Sequence, residues 1–397
     1  MDTGYVRIGR RVREVRTWRG MSVTATAGLA GVSVSYLSMI ERGERAVTKR
    51  SVLESLARAL RVHPAELIGR PYDPFDEIFA GSRDAVVTLS DVLSGWWIGE
   101  VPDAPVRPWA EVLDDVRTLT ALRAVSDFAA QVDLLPGLIR ELLVAAADPR
   151  TEREALVPLI SAYFGAGNIA TRLGFPGLPA LAADRIRRVA ERLDDPVWTA
   201  VAAWGRAKLL SDTSRSRQYE LAVAAAEQAP LERPETRGMC HLTAALASAA
   251  QGDADLAQTH LGEAEAMADQ LSVMTSLWPA GLMNFGRTNV GIWRVCIGVE
   301  LGWGAQVAEV AEQVRPETIT PSRQAAFWMD YGRGLLTERR TRDEGVRALL
   351  RAEELAPQQV RCNVWVREAV VDLLTSGRTA GGDLRRFALR LGIAPNG

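Results

Sequence analysis

The sequence predicts an all-α protein in two parts, a small basic N-terminal helical domain followed by a large acidic body of helical repeats. Three observations predict it. Apolar residues recur at helical spacing nearly throughout, with no alternating stretch long enough to argue for a sheet. Charge divides unevenly: residues 1–72 hold 13 Lys/Arg against 6 Asp/Glu, net +7, which leaves 34 against 43, net −9, for the remainder of the 397 residues. Small or apolar residues also recur in the second half, in segments that begin at Ala257, Gly304 and Gly345, 47 and then 41 residues apart.

The head, residues 1–71, reads as five short helices. IGRRVREVRTW carries Ile8, Val12 and Val15 at helical spacing and is stopped by Gly20; Ser22 caps a second helix through Leu29; Gly31 makes a turn; Ser33 caps a third through Arg42. SVLESLARAL and PAELIGR supply the fourth and fifth. At RPYDPFDEI the composition becomes proline-rich and acidic, which marks a boundary, and residues 72–110 are expected to form a linker and connecting helix containing an exposed Trp96 and Trp97. Residues 111–397 are expected to form the repeat domain. The three segments AQTHLGEAEAMA, GAQVAEVAEQVR and GVRALLRAEELA have small or apolar residues at positions 1, 5 and 8, which lets paired helices approach closely, as in lengthened tetratricopeptide-type solenoids.

Several function classes are excluded as expectations. There is no Gly-rich loop followed by Lys-Ser/Thr, no His-Glu-x-x-His and no Gly-x-Ser-x-Gly, so no enzyme is expected and no cofactor. Cys240, Cys296 and Cys362 are odd in number and widely spaced, and Cys240, His241 and His260 lack a fourth ligand at usable spacing, so neither a disulfide framework nor a metal site is expected. Arginines in the first twenty residues argue against a signal peptide, and no segment is apolar enough for a membrane span, so a cytoplasmic location is expected. Only Lys49 and Lys208 are lysines.

The stretch GVSVSYLSMIERGER, residues 31–45, carries the functional reading. Two capped helices around a Gly turn have helix-turn-helix geometry. In the third helix Leu37, Ile40 and Glu41 share one face, while Ser35, Ser38, Met39 and Arg42 lie opposite; small polar groups there reach base edges in a major groove, with Val34 and Ser35 opening the reading surface.

Together with LARALRVHPAEL, this stretch resembles the Xre/Cro/C1 repressor family across residues 6–70. The resemblance implies a five-helix lambda-repressor-like helix-turn-helix domain. It implies that Ser33, Val34, Ser35, Ser38 and Met39 sit at the groove, that Arg42 and Arg45 contact phosphates, and that Lys49 and Arg50 add positioning charge. Tyr36 either packs at the groove wall or donates its hydroxyl to a phosphate. It further implies a structural ion pair between Arg16 and Glu41 that ties the first helix to the end of the third. Helix 2 departs from the family pattern: Val23 stands where a glutamine is usual, Thr26 where a leucine fills the core, and Gly28 lies inside the helix.

NFGRTNVGIWRVCIGVELGW, RQAAFWMDYGRG and LLRAEELAP with VRCNVWVREAVVDLL resemble the C-terminal halves of actinobacterial Xre-type regulators with tetratricopeptide-like repeats. Asn289, Trp293 and Glu300 fall near one helix face, and Asn363 and Arg367 on another. Their amides and rings either line a groove for a peptide or small molecule, or serve as caps and core. The combined expectation is a homodimer that binds a palindromic operator in double-stranded DNA under the control of an effector, with a helical-repeat adaptor of weak or no DNA binding as the alternative.

Overall fold

A computed structural model describes residues 7–69, 82–105, 107–210, 214–278, 282–375 and 382–393. The proline-rich boundary expected after residue 70 lies outside the described residues. The head is five helices: α1 (Ile8–Trp18), α2 (Val23–Ala30), α3 (Val34–Glu41), α4 (Arg50–Leu60) and α5 (Pro64–Ile68). Its core is Ile8, Val12, Leu37, Ile40, Leu56, Leu60 and Leu67, all withdrawn from solvent. Gly9 is needed where α1 crosses α3, because a side chain there would run into the Ile40 carbonyl.

The body follows as α6 (Ser82–Gly95), α7 (Trp109–Val125), α8 (Phe128–Ala147), α9 (Glu152–Arg172), α10 (Leu178–Leu193), α11 (Pro196–Leu209), α12 (Arg215–Gln228), α13 (Pro234–Gln251) and α14 (Ala254–Asp269). After a short ribbon come α15 (Arg287–Leu301), α16 (Val307–Ala311), α17 (Pro321–Leu335), α18 (Arg342–Leu355), α19 (Pro357–Arg361), α20 (Val364–Thr375) and α21 (Gly382–Arg390). Local chemistry sets many boundaries. Side chains of Asp127, Asp195, Ser214 and Asp253 accept hydrogen bonds from the first-turn amides of α8, α11, α12 and α14. Proline opens α11, α13, α17 and α19, where its missing N–H costs nothing.

Consecutive body helices pack as neighbours from α8 through α15, and α17 packs on both α15 and α18. The three repeat segments fall on α14, on α16 with its preceding 3₁₀ turn, and on α18, each the second helix of a hairpin. Ala257, Leu261 and Ala264 are buried, as are Leu349 and Ala352. In the last hairpin the backbones meet at Gly332 and Gly345, each leaving no room for a Cβ beside the other's carbonyl. The middle segment is different: its helix is short and broken, and Ala305 and Val307 are the residues that turn inward.

Two findings depart from expectation. A two-stranded antiparallel ribbon, β1 (Ser276–Trp278) and β2 (Met283–Phe285), joins α14 to α15, three residues per strand and therefore invisible to any periodicity argument. Phe285 at its end packs where Gly238 leaves space on α13. Within the expected linker region, α6 packs into the body: its Leu89, Val92 and Leu93 join the core of α8–α10, and Trp96 packs against it. Trp97 is partly exposed, with the guanidinium groups of Arg185 and Arg188 over its ring at 4.8 and 4.4 Å.

Candidate nucleic-acid interface and its seam with the body

Helices α2 and α3 meet at 111°, with Gly31 between them at φ 67°, a left-handed conformation that favours glycine. Ser22 and Ser33 cap them, accepting hydrogen bonds from Ala25 N and Tyr36 N. Leu37 and Ile40 fix α3 against the head's core, which turns Val34 and Ser35 outward into solvent and leaves Ser38 and Met39 half-exposed beside them. Ser33 is exposed with its hydroxyl used as a cap. Arg16 and Glu41 form a two-pronged ion pair at 2.6 and 2.7 Å with little solvent access, and Arg16 also donates to the Met21 carbonyl, so α1 locks the end of α3. Thr26, at the position expected to lack its usual leucine, is fully buried and donates its hydroxyl to the Ser22 carbonyl.

The basic residues after α3 do not act as one group. Arg42 is exposed and paired with Glu44. Arg45 is exposed with Asp372 of α20 at 3.7 Å. Lys49 is half-buried with its ammonium against Gly302. Arg50 requires a correction: its guanidinium is withdrawn into the seam between head and body, paired with Glu300 and stacked over Trp365 at 5.1 Å. It therefore does not stand with Arg42 at the reading face. Tyr36 is half-buried and borders a cavity with Asp372 and Leu373; burial raises its phenol above the usual range.

The seam is built from body carboxylates that accept backbone N–H groups of the head. Glu300 takes Arg50 N at 2.8 Å, Glu368 takes Ile8 N at 3.4 Å and Val47 N at 3.2 Å, and Asp372 takes Ala46 N at 3.0 Å. Two of these acids thus sit at the N-termini of α4 and α1, where helix dipoles favour negative charge and N–H groups lack partners within the helix. Arg333 completes the network, bonding Glu300, Asp330 and the Thr48 carbonyl. Burial alone would raise the Glu300 carboxyl, but Arg50 and Arg333 hold it below its ordinary range. Val364 and Trp365 of α20 close the apolar side by joining the head's own core. Apart from the charge imbalance between the two parts, nothing in the sequence signalled this seam.

The expected ligand-groove residues are placed mostly in packing, which corrects that reading. Glu300 is the seam acid. Asn289 is buried, donates to the Asn284 carbonyl and accepts from Arg323, so its amide is not available to a peptide backbone. Arg367 is buried and bonds the Arg361 carbonyl. Asn363 accepts from Trp365 N and Val366 N at the start of α20. Of the five, Trp293 and Asn363 border a cavity. His241 and His260 face each other at 3.0 Å with Tyr219 beside them, and burial lowers both imidazoles; among the described residues no cluster of three metal-ligating side chains forms. No single helix among the described residues is long and apolar enough to cross a membrane.

The arrangement of α1–α5, with α3 presented outward from a basic head, is that of a helix-turn-helix DNA-binding module. Residues 7–67 match the family model of a helix-turn-helix domain, which supports a DNA-binding regulator. No curated protein and no solved structure is a significant match to the chain.

Proposed function

We propose that this chain is a cytoplasmic, non-catalytic transcriptional regulator that acts as a homodimer on a palindromic operator, with its tetratricopeptide-like helical body receiving an effector. The observation that carries the DNA-binding part is the outward face of α3, where Val34, Ser35, Ser38 and Met39 are accessible while Leu37 and Ile40 hold the helix down. Small polar side chains at the start of that helix suit base edges, and exposed Arg42 and Arg45 beyond its end suit phosphates. Two-fold pairing of such heads places half-sites about one helical turn apart.

Binding of duplex fragments from the gene's own upstream region, measured by fluorescence anisotropy across a salt series, tests the reading. Ser35→Ala is expected to change sequence preference. Arg42→Ala is expected to weaken all sequences alike and lower the salt slope by about one unit. Absence of binding at low salt would favour the helical-repeat adaptor instead.

A further inference from the structure

The body acids that hold the loop of residues 42–49 and the start of α4 do so at different depths. Glu300 and Glu368 are buried, whereas Asp372 keeps 28% of its side chain in solvent and its partner Arg45 keeps 57%. The buried end is an anchor, with Glu300 between Arg50 and Arg333, and with Val364 and Trp365 packed in the head's core. The rim is a contact of another kind. There a single carboxylate takes two donors of the head, the Ala46 N–H at 3.0 Å through one oxygen and the Arg45 guanidinium at 3.7 Å through the other. A solvent-exposed ion pair at that distance holds weakly, so the rim can part while the anchor stays closed.

The two donors are of the kind that hold a phosphodiester. Contacts to a DNA backbone come from arginine side chains and from main-chain N–H groups, and a phosphodiester offers such a pair two anionic oxygens on one atom. The two oxygens of Asp372 stand in for them. The location fits as well: Asp372, Arg45 and Tyr36 border one cavity of about 260 Å³, and Tyr36 is the next residue in α3 after Ser35, which projects from the reading face. The base-reading side of α3 is therefore open, while a backbone seat on its flank is filled by the protein's own acid. We propose that this rim of α20 is an autoinhibitory contact, in which Asp372 competes with a DNA phosphate for Arg45 and the Ala46 N–H. The arrangement described here is then the weaker-binding one. This inference rests on the regulator reading and adds to it the place where control is exerted.

Helix α20 is placed to carry a change in the body to this seat. Its first residues, Val364 and Trp365, belong to the head's core, while Val366, Val370 and Val371 pack into a second core with Leu349 of α18 and Phe387 of α21. Asp372 lies one helical turn beyond Glu368, on the same side of α20. A shift of α20 against the second core therefore moves Asp372 relative to Arg45. An effector acts through this contact only if it favours one position of α20 over the other.

A double-mutant cycle on the full-length chain tests this, with the Kd for a mixed-sequence duplex read by fluorescence anisotropy across a salt series. Asp372→Asn keeps the side chain's shape and releases Arg45, so it is expected to tighten binding by at least roughly threefold and to steepen the salt slope by about one unit. Asp372→Ala, which also releases the Ala46 N–H, should tighten it at least as much. Arg45→Met should cost less than about twofold in the wild-type chain, where Asp372 already engages Arg45, yet remove the whole gain in the Asp372→Asn chain. Glu354→Gln takes the same charge from an exposed position on α18 and should leave the slope unchanged. Unchanged or weaker binding by both Asp372 variants would overturn the proposal. So would a gain that survives Arg45→Met, an equal gain from Glu354→Gln, or an equal loss on Arg45→Met in both chains. Binding by every variant without any such coupling removes this contact alone, whereas no duplex binding by the wild type or any variant at low salt removes the regulator reading with it.

Discussion

The outward face of α3 and the loop of residues 42–49 that follows it belong to the same basic head, yet their surroundings are opposite. Val34 and Ser35 project into solvent. A few residues on, Ala46, Val47 and Arg50 give their N–H groups to Asp372, Glu368 and Glu300, and the Arg50 guanidinium is spent on Glu300. Positive charge counted along a sequence is therefore an upper bound on the charge a partner meets. Part of the +7 balance of the head is cancelled at the seam by acids contributed more than two hundred residues later. The comparison also separates two ways of holding a reading helix, from within by Arg16–Glu41 and from without by the body.

The largest effect is expected where the seam is most buried. Glu300→Ala leaves Arg50 and Arg333 without their shared anion and removes the acceptor at the first N–H of α4. Breaking a buried charge network in this way costs about 3–5 kcal/mol. Denaturant unfolding should detect it, and hydrogen exchange should speed up at Ala46, Val47 and Arg50 while the α8–α10 core stays protected. Glu300→Gln, which keeps an acceptor, should lose less. Unchanged exchange in the alanine variant would mean that the head does not depend on this contact, and the contrast between the two surfaces would collapse.

Glu41→Ala tests the internal support and should cost less, about 2 kcal/mol, because Arg16 keeps its bond to the Met21 carbonyl and part of its solvent access. Faster exchange is expected across α2, α3 and the end of α1 that carries Arg16, with the Ala46 and Val47 amides, bound by Asp372 and Glu368, little changed. If both variants loosened both regions equally, head and seam would be one cooperative unit and not two separately supported regions.

How far the sequence carried follows from the range of the interactions involved. Caps, the Gly31 turn and the apolar faces of α1–α5 are set within a few residues of themselves, and they were legible. The Arg16–Glu41 pair was reachable through family resemblance. Local sequence groups Arg50 with the phosphate-contacting arginines because its partner, Glu300, is separated from it by 250 residues and no local pattern ties the two. Helical spacing and amide chemistry leave Asn289 and Arg367 open between a groove and the packing, because neither can tell a residue facing a cavity from one bonded inside the body.

The smallest effect bears on the reading face itself. Gly28 lies inside α2, exposed, with no neighbouring atom within 4 Å of where a Cβ would stand. An alanine there loses less backbone freedom on folding than glycine does, so Gly28→Ala should stabilise the head by about 0.5–1 kcal/mol. Gly31, three residues on, has equal room but a φ of 67°, so Gly31→Ala should destabilise despite the same change in composition. Opposite signs from two exposed glycines would show that backbone conformation, and not space, governs this turn. If Gly28→Ala instead left the melting temperature unchanged and weakened DNA binding, the bare patch on α2 would be a place where a phosphate backbone comes close. The interface would then extend from α3 onto α2.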